Sequence, residues 1–501
     1  MAAVERWIRL AAWGLGAVAA VMLAGAAPAC AESLESALAA VYESSPTLNA
    51  ERARLRATDE ELAKAQSGYR PSVGIDADYG VATLDTSVKN PVLASGRDPQ
   101  LFQIEQRAAA YKASDGRTNP GGYSVTVSQP LFEGFKTVNA VKGANASIMA
   151  GRESLRGAEQ KTLLEAIHAY MDVLRDSSVM SLRQQSLQIL SKEAQGTQDR
   201  YAVGEMTRTD VAQAQTRTAE ARAQLELAKA TLRASLANYQ RLVGHVPTAV
   251  TNPTGYEQHL PTTADEAITA AVSRNPQVLA AAYQEKASAF EVNRTLGEML
   301  PQARLQASHN ERFDPSALLN QTTNESASVR VNIPLYQSGE IEARVRQAKQ
   351  NRQGRIQEIE AAREAVRAQA ISDFAQIQAL RAQVAAVRQQ TRAAAEGLAG
   401  VREEQRAGQR TLLDVLNAQQ EETNAKIASA NAHHDLVIAA YSLLSAMGKL
   451  TAAQLDLGVP LYDAQAHYLQ TNGRWSGTGI EREPTHGARD SGWGATIQAQ
   501  R

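Results

Sequence analysis

The sequence predicts a mainly helical fold with a β-sheet component, built from one helix–strand–strand–helix unit that occurs twice. Three observations predict it: an internal repeat, proline-free stretches long enough for very long helices, and four short runs that alternate apolar and polar residues. The repeat is the strongest of these. Gln129-Pro130-Leu131-Phe132-Glu133-Gly134 returns as Ile333-Pro334-Leu335-Tyr336-Gln337-Ser338-Gly339, with Pro334 lying 204 residues after Pro130. The stretch Val203-Gly204-Glu205-Met206-Thr207-Arg208-Thr209-Asp210-Val211 returns at the same offset as Ala407-Gly408-Gln409-Arg410-Thr411-Leu412-Leu413-Asp414-Val415. Earlier in each half, Ser45-Pro46 pairs with Asn275-Pro276 and Pro71 pairs with Pro301, at an offset of 230. One longer loop in the first half accounts for the difference, and duplicated units of this kind pack as one body.

The helices come first. No proline falls between Gly134 and about Arg200, and a helix of that length runs on the order of 100 Å at 1.5 Å per residue. In the second half Ile356, Ile359, Val366, Ala370, Ile377, Leu380, Val384 and Val387 share one three–four stripe, with Arg363 and Asp373 at its two missing positions. That spacing is a coiled-coil seam. A soluble helical bundle explains the helices equally well, so the strands must decide.

Four segments alternate with period two. Val73, Ile75, Ala77 and Tyr79 oppose Ser72, Gly74, Asp76 and Asp78, while Tyr123, Val125 and Val127 oppose Ser124, Thr126 and Ser128. Ala303, Leu305 and Ala307 oppose Arg304, Gln306 and Ser308; Ala327, Val329, Val331, Ile333 and Leu335 oppose Ser328, Arg330, Asn332 and Pro334. Each run approaches the length of a tilted membrane strand with one apolar face, although a half-buried soluble sheet has the same pattern. Four strands cannot close a barrel alone, and open edges cannot face lipid. If they span a membrane, several chains share one β-barrel.

Composition and termini fit export. Arg6 and Arg9 precede an apolar run from Leu10 to Ala26, and Ala29-Cys30-Ala31 offers small residues for cleavage before Glu32, so residues 1–31 read as a signal peptide. Cys30 is the one cysteine. Lipidation there is the sharper alternative, but Ala27-Pro28-Ala29 matches a lipoprotein signal poorly. No later segment approaches the roughly 20 apolar residues of a membrane-spanning helix. A net charge of −1 gives no sign of a nucleic-acid partner. Aromatics are 5% of the chain, and Tyr69, Tyr79, Tyr123, Phe132, Phe135, Phe313 and Tyr336 cluster in or beside the strands.

With the paired Pro-Leu-aromatic strand ends and the stretch from Gly408 to Ala418, the region from about Ser33 to Tyr462 resembles the TolC family of outer-membrane exit ducts. The resemblance implies a homotrimer whose chains each give four strands to a 12-stranded outer-membrane barrel, continued by a long periplasmic α-helical barrel. It also implies a periplasmic adaptor, an inner-membrane ABC or RND transporter as the energy source, surrounding outer-membrane lipid, and no cofactor. The expected organisation is a first repeat at 32–245 with strands near 71–82 and 122–132. A linker at 246–261 leads to a second repeat at 262–462 with strands near 301–312 and 326–335. From 463 to 501 the chain turns polar and reads as a mostly disordered tail.

The motifs now acquire roles. Gly204 and Gly408 sit where one helix stops and the next begins, and Thr207 with Asp210, like Thr411 with Asp414, has capping-box spacing. A well-capped turn explains them; the resemblance adds that these tips dock the adaptor and form the duct's narrow end. It matches Asp414 to the first of two acidic aperture positions, with Asn417 at the second, and Asp210 and Arg410 to a link between helices in the closed state. Gln405 stands where the family has a tyrosine in that link. A ring of Asp414 carboxylates would favour cations and raise its own pKa.

Other chemistry is thin. His433-His434-Asp435 reads as a solvated helix face rather than a metal site, since adjacent helical residues point apart. No GxxxxGK[ST], HExxH or GxSxG occurs, which leaves no support for an enzyme. The leading reading is the exit duct of a type I protein secretion system. The weak lipidation signal and the likeness of Val329–Leu335 and the Gly408 turn to secretion-type members favour it. The alternative is the outer-membrane factor of a multidrug efflux pump. A different class, a periplasmic coiled-coil scaffold without a channel, leaves the four strands without purpose.

Overall fold

The structure, a computed structural model, describes residues 32–83, 117–316 and 319–480. The signal segment with Cys30, the long first-half loop and the last residues of the tail lie outside them.

Each half opens with the same two capped helices. Ser33 caps α1 (Leu34–Ser44), its hydroxyl accepting from the Ser36 amide at 3.2 Å. Ser45 caps α2 (Pro46–Gln66), with Pro46 in the first turn, where no backbone donor is needed. In the second half, Thr263 and Asn275 do the same work for α5 (Ala264–Arg274) and α6 (Pro276–Leu296). Both pairs are 11 and 21 residues long. The long helices α3 (Lys136–Ala202) and α7 (Glu340–Arg406) have 67 residues each, and return as α4 (Arg208–Val243) and α8 (Leu412–Ala446). Lengths that match to within one residue in both halves are the duplication made physical.

Strands β1 (Ser72–Tyr79), β4 (Gly121–Phe132), β5 (Gln302–Ser316) and β6 (Leu319–Asn332) form one antiparallel sheet in that order. A two-residue ladder of β2 (Ala82–Thr83) and β3 (Arg117–Thr118) extends the first hairpin. One row across the sheet reads Val73, Val127, Ala307, Ala327, and the adjoining register rows on that face carry Leu305 and Val329 at one end. Ser72, Ser128, Gln306 and Ser328 form a row of the opposite face. In one chain, β1 and β6 are free edges and Val73, Ile75, Tyr79, Val329 and Val331 stand exposed.

Two features of the sheet depart from the alternation. Strand β6 begins seven residues before the expected 326, because Asn320 to Glu325 is polar and its pairing comes from the β5 ladder rather than from periodicity. Ile333 and Leu335 fall beyond it, next to Pro334, which has no amide to give a ladder. The apolar face also changes past Ala307: His309 pairs with Glu325 at 3.1 Å, and the Tyr123 hydroxyl donates to Glu311 at 2.5 Å.

Packing of α3 against α1, α4 and α8 builds the largest core, around Leu38, Val41, Ile167, Tyr170, Tyr239, Val437 and Tyr441. The Tyr170 hydroxyl lies 2.8 Å from the carbonyls of both Glu32 and Thr251, which ties the start of the first repeat to the inter-repeat linker. On α7, the stripe residues Val366, Ala370, Ile377 and Leu380 are buried against α5, α6 and α8, while Arg363 is exposed and bonded to Glu360.

A mostly disordered tail from 463 is corrected for residues 463–480. There α9 (Ala466–Thr471) lies along α2 and α3, with the Tyr468 hydroxyl donating to Asn145 at 3.0 Å. Polar composition hides this segment because it docks through hydrogen bonds and ring stacking rather than through an apolar stripe.

Candidate functional site

The two helix-to-helix turns are near copies. At the end of α3, Gly204 takes φ +85° and the Glu205 amide donates to the Arg200 carbonyl at 2.9 Å. At the end of α7, Gly408 takes φ +77° and the Gln409 amide donates to the Glu404 carbonyl at 2.8 Å. No atom lies within 4 Å of where a Cβ would sit at either glycine, so backbone conformation alone demands glycine there.

The following helices start with complete capping boxes. Thr207 donates to Asp210 Oδ2 from its amide (3.0 Å) and its hydroxyl (2.7 Å); Thr411 donates to Asp414 Oδ2 in the same way (3.0 and 2.8 Å). The bonds from Thr411, helped by Arg410 nearby, hold the Asp414 carboxyl below the usual carboxylate range, and the bonds from Thr207 do so for Asp210. Within one chain the cap, a local and favourable partner, governs Asp414, while the rise expected of a ring of such carboxylates concerns several chains together. Like-charge repulsion can arise only between chains.

The structure does not bring Asp210 and Arg410 together. Asp210 stays with Thr207, and Arg410 Nε donates to Glu404 across its own turn at 2.9 Å. It does join Asn417 to Arg217 of α4, whose guanidinium donates to Asn417 Oδ1 at 2.9 Å while also pairing with Glu220 at 3.2 Å. Around this link Leu190, Ala214, Ala221, Leu412 and Leu416 pack the two hairpins together. Arg217 escaped the sequence reading because its partner is 200 residues away in the other repeat, and nothing near Arg217 marks it.

Farther up α8, His434 is buried, which corrects the solvated-face reading. Its Nε2 lies 2.9 Å from Asp172 of α3 and its Nδ1 2.8 Å from Asp435; Arg175 pairs with Asp172 and Asp176. Burial disfavours a charged imidazole, but the two carboxylates outweigh it and raise the pKa. Burial lowers those of His433 and His168. This is a helix-to-helix clasp.

Among the described residues no helix is long and apolar enough to cross a membrane. The sheet carries an exposed apolar face, and the capped turns lie at the far ends of the long helices from it. The family model described as outer membrane efflux protein matches residues 37–245 and 267–449. The outer membrane efflux protein BepC of Brucella suis is 37% identical over 466 residues, spanning 92% of this chain and 95% of BepC. The alkaline protease secretion protein AprF of Pseudomonas aeruginosa is 25% identical over 312 residues, spanning 56% of this chain and 63% of AprF. The solved structure of VceC from Vibrio cholerae shares the fold with a TM-score of 0.66 and 19% identity, over 83% of this chain and 96% of that one. Repeat, sheet and tips together make this chain a member of the outer membrane efflux protein family, the TolC-type channels of the outer membrane that extend into the periplasm.

Proposed function

We propose that three copies of this chain close into a 12-stranded barrel and serve as the passive exit duct of a type I secretion system. The observation that carries this reading is the open sheet: four strands, two free edges and an exposed apolar face. The upper helices run in the order α2, α3, α6, α7, matching β1, β4, β5, β6, so the free margins of both layers fall on opposite sides of the chain. A head-to-tail contact of that kind closes into a ring when its rotation divides a full turn. In this reading the Gly204 and Gly408 turns dock a periplasmic adaptor, which links the duct to an inner-membrane ABC transporter. Asp414 and Asn417 line the aperture, and Asp210 and Arg410 meet neighbouring helices when it closes.

Protein cargo is supported by the name of AprF, a secretion protein. BepC, matched at higher identity and over more of its length, is named for efflux and favours the second reading, an efflux-pump factor served by an RND transporter. Deleting the gene separates them. Loss of a protein from the culture supernatant with unchanged drug susceptibility supports secretion; unchanged supernatant proteins with dye accumulation support drug efflux.

A further inference from the structure

The segment from Tyr462 to Trp475 climbs α2 in step with it. Near the foot of α2, the Tyr462 amide donates to the Tyr42 hydroxyl at 3.0 Å. Higher up, His467 lies 3.1 Å from the buried Asp59. Near the top, Gln66 donates to Asn472 at 2.8 Å and accepts from the Gly473 amide at 3.2 Å. Finally Arg70 donates to the Arg474 carbonyl at 2.5 Å and its guanidinium stacks 5.0 Å from the centre of the Trp475 ring. Contact follows contact in one direction, so the segment is a strap laid from the helical core to the foot of the sheet.

Where the strap ends is informative. Arg70 stands two residues before β1 begins at Ser72, so Trp475 is delivered to the rim where helices become strands. It is 70% exposed there. The same rim carries other exposed rings, Tyr69, Phe132, Phe135 and Tyr336. Because the sheet belongs in the outer membrane, this rim lies at the periplasmic membrane–water boundary. Indole rings favour that depth, and an adjacent arginine complements anionic headgroups.

We propose that Trp475, held on Arg70 by the strap, docks phospholipid of the periplasmic leaflet and anchors the duct from outside its barrel. The inference rests on the outer-membrane placement of the sheet, not on the cargo or the adaptor. Charge favours lipid over a second copy of the chain, because the arginine beside the ring complements an anionic headgroup.

Tryptophan emission tests this. The sequence has four tryptophans, and the difference between Trp493→Phe and the double variant Trp475→Phe/Trp493→Phe isolates the signal of Trp475. Both variants are purified as full-length processed protein and placed in phosphatidylethanolamine–phosphatidylglycerol vesicles, with retained conductance reporting insertion. The expected result is blue-shifted Trp475 emission that is lost when lipid chains are brominated near the headgroup, and lost less when they are brominated near the methyl end. Arg70→Gln should weaken that quenching while leaving conductance intact. Emission at the solvent wavelength without quenching overturns the anchor. Blue-shifted emission that bromine does not reach also overturns it and assigns Trp475 to a contact between copies.

Discussion

Asp414 holds two jobs that separate variants can pull apart. As a cap it accepts from Thr411; as an aperture residue it would supply negative charge. Asp414→Asn should therefore weaken block of the channel by multivalent cations in a planar bilayer, because amide and carboxylate both cap but only one is charged. Thr411→Ala should cost about 1 kcal/mol at the helix start and leave block unchanged. Equal loss of block in the two variants would assign the effect to the cap. The Arg217 bond changes what Asn417→Asp should do. A carboxylate there meets a guanidinium already in place, so block should rise only when Arg217→Gln is added. A full rise from Asn417→Asp alone would show that Arg217 turns away in the working channel. At His434 the sign follows from a raised pKa. Its stabilisation is complete below the ordinary histidine value of 6.5 and fades as pH rises through the folded-state value. Asp172, held below its ordinary 3.8 because bonds from His434 and Arg175 outweigh burial, sets the acid limit. The stability gap between the wild type and His434→Gln should thus be widest near pH 5–6 and narrow on alkaline titration. A pH-independent gap in thermal unfolding would remove the charged imidazole from the account.

At the scale of elements, the helices and their turns were legible because caps are local: a threonine, an aspartate three residues on and a glycine before them specify an end without reference to anything distant. Gly408→Ala checks that logic. With space around the missing Cβ, its cost comes from the left-handed backbone alone, about 1–2 kcal/mol, and should appear as faster hydrogen exchange at the tip. Protection like that of the wild type would mean the turn relaxes. Strand existence was legible from period-two alternation, but strand ends were not. The polar start of β6 pairs through its neighbour, and the strap docks through single polar contacts, neither of which leaves a periodic trace. The faces of the sheet can be tested directly. Val331 sits opposite Ala303 on the exposed apolar face and Asn332 opposite Gln302 on the other. Arg at Val331 should impair membrane assembly by roughly 2–4 kcal/mol if it lies near mid-bilayer, whereas Arg at Asn332 should be tolerated. Equal assembly yields would reverse the faces.

For the molecule as a whole, the open margins make a definite claim. Cysteines placed along β1 and β6 should form disulfides between chains on oxidation and run as a trimer in detergent; a product that stops at monomer would refute ring closure. The number of chains was never legible in composition or spacing, which require only that more than one chain close the sheet. The sheet's apolar face has a further consequence. On β4 it continues to Tyr123, whereas on β5 it gives way to His309 and Glu311 after Ala307, four residues short in register. At about 3.3 Å per residue that is a step of roughly 13 Å along the strand. Around a threefold ring the step repeats, giving a greasy collar with a scalloped upper edge. Lipids beside each second-half hairpin would meet a shorter belt than those beside each first-half hairpin. Three notches of local bilayer thinning, spaced evenly about the duct, are the imprint such a collar would leave on its membrane.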